Sequence, residues 1–230
     1  MDSIQKVMSS ALGKISDENY EQTFAFYRFW FEIGQIHYQI PSDLVFNTIL
    51  DSRAETSMTP SDDRLTYPAA RLILRFASNA ESDHTLAPHS ARLQCRLRTR
   101  ILKEFFSGNM ELVRTAETDS LEGSAEYFHA NTNLIAHLTN LGYVEEETIR
   151  NRLLQSLIDH PLKLRDHQAD ALIILLKLAG TTFEAYVDPL VIDRCFKLLD
   201  DHRHPFWKWR LLQVRALRVV KGGHQAQTSF

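Results

Sequence analysis

Apolar residues recur at steps of three and four in one segment after another of this chain, with only brief polar, glycine or proline breaks between segments. Because 3.6 residues complete a helical turn, that spacing gathers the apolar side chains on one face of an α-helix. Glycine (8) and proline (7) are both scarce in 230 residues. Too few turn-formers remain for a sheet that reverses direction repeatedly, so the expected fold class is all-α.

The segments follow in order. Ser3 to Leu12 places Ile4, Val7, Met8, Ala11 and Leu12 together. Ser16, followed by Asp17 and Glu18, is expected to cap a helix whose aromatic side is Tyr20, Phe24, Tyr27, Trp30 and Phe31. Pro41, Ser42 and Asp43 open the next, through Leu44, Val45, Ile49 and Leu50. A turn at Ser61, Asp62 and Asp63 leads to one bearing Ala69, Ala70, Leu72, Ile73 and Phe76, and Ser78 to Pro88 reads as a loop. From His89 a basic helix carries Leu93, Leu97, Ile101 and Phe105 and is expected to close near Gly108, with Met110 to Gly123 a mobile connector. Ser124 to Leu141, Glu145 to Ile158, Leu164 to Ala179, Val187 to Leu199 and Pro205 to Val220 complete the series, with breaks at Gly142, His160-Pro161, Gly180-Thr181 and His204-Pro205. About ten helices joined by short turns make a helical-repeat pattern, in which no pair is thick enough to bury its own apolar face.

Bulk properties narrow the function classes. A formal charge of −3 excludes a uniformly basic nucleic-acid coat, so any RNA contact must come from a local patch. Cys95 and Cys195 are too few for a disulfide framework and are expected to be two buried thiols in a reducing compartment. Met1 to Lys6 shows no secretory signal, and the longest apolar run, Ala171 to Leu176, is far too short to span a bilayer. The expected location is cytoplasmic, with the nucleus as the alternative.

Catalytic signatures are missing from the sequence. It has no phosphate loop, nucleophile elbow, His-Glu-x-x-His or paired cysteines at zinc-ligand spacing, so neither an enzyme nor a cofactor is expected. His202 and His204, beside Asp200 and Asp201 and after Cys195, form the one cluster with metal-ligand character. Pro205 restricts that turn and Arg203 would repel a cation, so no metal is expected there. His160 and His167 are expected to be surface or capping residues.

Two basic zones are better candidates. On the helix with Arg92, Arg96, Arg98, Arg100 and Lys103, the steps between Arg92, Arg96 and Lys103 put these three on one side with Arg100 adjacent. Such a row can neutralise the phosphates of single-stranded RNA; it can equally be a solvated face paired with Glu81, Asp83 and Glu104. The second zone contains Trp207, Lys208, Trp209, Arg215 and Arg218. Aromatic rings beside cations stack on bases or meet a protein partner, and they also close the end of a repeat array.

The order of several short stretches resembles a known family. Ile4-Gln5-Lys6-Val7 with Leu12 to Tyr20, then Arg96 to Phe105, Asn133 to Leu141 with Thr148, Ile149, Leu153 and Leu154, and Ala171-Leu172, Leu175-Leu176, Gly180, Phe183, Ile192-Asp193 and Phe196 are similar, in sequence order, to the middle domain of translation initiation factor 4G. The resemblance implies a HEAT-like α-solenoid of about five antiparallel helix pairs, spanning residues 1–222 as one domain with a disordered tail at 223–230. It further implies a non-catalytic scaffold in translation or mRNA metabolism that holds the two lobes of a DEAD-box RNA helicase. The family has Gly where Ala136 stands, Phe where Thr139 stands, and an acidic residue facing the helicase where Arg215 stands. The alternative is a protein–protein interaction module, such as a dimerising adaptor, with no helicase or RNA contact.

Overall fold

The structure, a computed structural model, describes residues 6–7, 10–11, 14–32, 67–72, 74–75, 87–115, 122–144, 147–159, 164–202 and 212. Six helices carry the architecture: α1 (Tyr20–Glu32), α2 (Ala87–Thr115), α3 (Glu122–Asn140), α4 (Glu147–Ile158), α5 (Asp166–Tyr186) and α6 (Pro189–Asp201). A further helical stretch covers 67–72 and continues at 74–75, and there is no strand among the described residues. Nor is any described helix long and apolar enough to cross a membrane. The expected helix at 44–50, most of 3–12 and 205–220, and the tail 223–230 lie outside the described residues.

Burial follows the apolar period. In α1, Tyr20, Thr23, Phe24 and Tyr27 are buried, the steps of one helical face. The helix starts later than expected: Asn19, not Ser16, stands at its head and accepts the first helical bond from Thr23 N–H at 3.0 Å. Asn19 also ties down the preceding turn, its Oδ1 accepting from Ser16 N–H at 2.8 Å and its Nδ2 donating to Lys14 O at 2.7 Å. Ser16 therefore serves through its backbone, not as a side-chain cap. The stretch at 67–72 and 74–75 lies along α1: Arg71 Nη1 meets Asp17 Oδ1 at 2.8 Å and Arg75 Nη1 meets Glu21 Oε1 at 2.5 Å. The same guanidinium carbons sit 4.6 Å from the Tyr20 ring centroid and 4.1 Å from that of Phe24. Cation–π stacking thus adds to ion pairs that, at the surface, contribute little on their own.

Two glycines behave differently from expectation. α2 does not close at Gly108 but runs on to Thr115, taking in the first part of the expected connector. Its buried stripe is Leu97, Ile101, Phe105, Asn109 and Leu112, so the core contact continues past the glycine. A Cβ on Gly108 would stand 3.3 Å from Phe128 Cδ2 on α3, so the missing side chain serves close helix packing. α5 likewise continues through Gly180 to Tyr186. Ala179 and Phe183 on either side are fully buried, and burying a Phe outweighs the cost of about 1 kcal/mol for an interior glycine.

Gly142 does end its helix. With φ of 80° it takes the left-handed conformation, its N–H donating to Thr139 O at 3.1 Å and Tyr143 N–H to Leu138 O at 2.8 Å. That is the paired bonding of a Schellman cap. At the α5–α6 corner, Val187 N–H closes α5 on Phe183 O at 2.8 Å. Asp188 then caps α6, accepting from Leu190 N–H at 2.9 Å, with Pro189 in the first turn where no donor is needed.

The most extensive helix contact is between α3 and α5; α2 packs on α3 and α4, α4 on α5 and α6, and α5 on α6. Alternate helices therefore touch, α2 to α4 to α6 and α3 to α5. Residues 130–139 of α3 are all buried, as is the run Ala171 to Leu176 of α5, so these two stretches are enclosed on every side. Three polar side chains of α3 bond to carbonyls within the core: Asn131 Nδ2 donates to Ile101 O at 3.0 Å, and Thr132 and Thr139 hydroxyls donate to the carbonyls of Phe128 and Ile135 at 2.8 Å. One buried network joins three helices. Asn109 Nδ2 donates to Ser156 O at 2.7 Å, Gln168 Nε2 donates to Asn109 Oδ1 at 3.3 Å, and Gln168 Oε1 accepts from Arg165 N–H at 3.2 Å.

Candidate nucleic-acid interface

The first basic zone lies on α2, whose buried stripe faces α3 and α4. Arg96, Arg100 and Lys103 stand at steps of four and three along the flank of that stripe, so their side chains leave the helix on one side. Lys103 is exposed, and Arg96 and Arg100 are half-buried. Arg92 continues the row by register; its side chain lies outside the described residues. Arg98 does not belong to the row. Two residues from Arg96 is 200° around the helix, and Arg98 sits beside Tyr143 in the α3–α4 turn, where burial raises the phenol pKa and the guanidinium opposes it. Arg96, Arg98 and Arg100 all make interactions within the fold, so part of their charge is already engaged. The exposed end of the edge is Lys103, one turn before Ser107, whose hydroxyl donates to Lys103 O at 2.8 Å.

The second zone, Trp207, Lys208, Trp209, Arg215 and Arg218, lies outside the described residues, as do Glu81, Asp83, His160 and His204. Of the metal-like cluster, His202 ends α6 with its Nε2 3.3 Å from Asp166 Oδ1 at the start of α5. Cys195 faces the core instead of His202, and burial pushes its thiol up to about 12. Cys95, expected to be buried, is exposed; it precedes Leu97 by two residues and so leaves α2 on the side away from the buried stripe. No group of three or more His, Cys, Asp or Glu among the described residues is arranged to hold a metal.

The structure also gathers a histidine cluster that spacing within one helix does not reveal. His167 is neither a surface nor a capping residue. Its ring meets Phe128 of α3 edge-on, with centroids 5.9 Å apart. Its Nε2 is sealed from solvent with no hydrogen-bond partner among the described residues. Burial, reinforced by the neighbouring His129 and Arg165, pulls its pKa down to about 4, against a smaller opposing effect of Asp166. His129 Nε2 in turn lies 3.9 Å from Asp170 Oδ2 across the α3–α5 contact. The visible signal was the Asp166, His167, Asp170 spacing on α5; His129 comes from a different helix and carries no mark in the sequence.

Exposed apolar groups collect at the α5–α6 corner, where Tyr186 is 58% and Leu190 75% exposed. The guanidinium carbon of Arg150 lies 4.5 Å from the Tyr186 ring centroid and fixes that ring from its inner face. Asn151 Oδ1 accepts from Asp188 N–H at 3.4 Å, joining α4 to the same corner. No protein-family model matches the chain, and no curated protein matches it either.

Proposed function

We propose that this chain is a non-catalytic scaffold of mRNA metabolism, similar to the middle domain of translation initiation factor 4G, which binds a DEAD-box RNA helicase and contacts single-stranded RNA. The observation that carries the reading is the alternate packing of α2, α4 and α6 beside α3 and α5, the contact pattern that stacking of helix pairs produces in a HEAT-like array. Cytoplasmic mRNA is the setting in which such a scaffold works. It acts by favouring one arrangement of the helicase lobes, and it can shift the balance between the two arrangements by no more than its difference in affinity for them. The family departures Ala136 and Thr139 are both fully buried in α3; they alter packing inside the array and leave its surface unchanged. Co-purification from native cells followed by ATPase assay tests the reading. A DEAD-box helicase should be captured and stimulated; a chain that neither binds nor stimulates one overturns it.

A second reading rests on the α5–α6 corner. Exposed Tyr186 and Leu190 favour a protein–protein module, including a homodimer, with no helicase or RNA contact. Sedimentation separates the two: a dimer lost on Leu190→Asp, with no helicase captured, favours the module.

A further inference from the structure

We draw no further inference here: the strongest candidate, the buried guanidinium of Arg150 in the first turn of α4, which donates through Nε to Val144 O, stacks on the Tyr186 ring and has no partner for Nη1 among the described residues, carries nothing, because that nitrogen is sealed from solvent and nothing in the structure shows an anion or a partner reaching it.

Discussion

Gly108→Ala is the substitution that most directly tests how α2 and α3 meet. In an unobstructed helix interior the change should stabilise by about 1 kcal/mol, the propensity difference between the two residues. Here the added Cβ would stand 3.3 Å from Phe128 Cδ2, closer than ordinary carbon contact. The Phe128 ring has little room to retreat: its centroid is 5.2 Å from Phe105 and 5.9 Å from His167. Forcing one more carbon into a filled core costs about 1–3 kcal/mol. Setting the propensity gain against that cost leaves Gly108→Ala between neutral and about 2 kcal/mol destabilised. Gly108→Leu, which adds three further carbons, should lose about 3 kcal/mol or more.

Urea unfolding followed by circular dichroism measures both variants, provided the slope with denaturant stays constant. Adding Phe128→Leu to Gly108→Ala supplies the control. A smaller partner makes room for the Cβ, so the double variant should be more stable than the two single losses predict, by about 1 kcal/mol of coupling. Gly108→Ala stabilising by the full propensity difference, or strict additivity with Phe128→Leu, would refute the close approach.

Three other outcomes follow from the same packing. The folded pKa of His167, about 4, lies below its ordinary 6.5, so the unfolded chain takes up this proton first, and stability falls as pH drops from about 6.5 toward 4. Allowing for the partial solvent contact of the ring, the loss should be about 2–3 kcal/mol; His167→Leu should flatten this part of a stability-versus-pH curve, and an unchanged slope counts against the buried neutral imidazole. Leu175→Ala, at a fully buried site, should cost about 2–5 kcal/mol in the same unfolding assay, whereas Leu190→Ser, at a site 75% exposed, should stay within about 0.5 kcal/mol. Lys103→Glu should weaken binding to single-stranded oligonucleotides of any sequence and lower the salt slope by about one; it is a cleaner probe than reversing Arg96 and Arg100, whose interactions within the fold would be lost as well. Unchanged affinity and slope would remove the α2 edge from the proposal.

Where apolar period alone decides structure, the chain is readable from its residues. Leu97, Ile101 and Phe105 line the core as their spacing requires, and so do Leu153, Leu154 and Leu157. The enclosure of α3 is a different matter. Asn131, Thr132 and Thr139 look like solvent-facing residues, and only their bonds to Ile101, Phe128 and Ile135 carbonyls make their burial tolerable, one of them reaching a helix distant in sequence. The α2 edge was half legible for a related reason: helical rotation alone separates Arg98 from Arg96, but whether a flank is free depends on what other segments bring to it.

The three glycines show how that limit works and where it can be moved. Gly108, Gly142 and Gly180 offer the same local signal, yet only Gly142 adopts a positive φ and ends its helix. What separates them is the chain beyond. After Gly108 the stripe resumes at Leu112 one turn later, and after Gly180 it resumes at Phe183, both buried. Three and four residues after Gly142, where the buried face of α3 would resume, stand Glu145 and Glu146, which offer it nothing; the buried Val144 reaches the core only after the chain has turned at the glycine. A helix ends where the free energy of burying its next turn no longer exceeds the entropy of ordering it. Glycine raises that cost by about 1 kcal/mol, so it decides the outcome only where no large apolar side chain stands three or four residues on, at the next position of the buried face. For α2 and α5 one does, and the same comparison made on the residues alone would have carried both helices past their glycines.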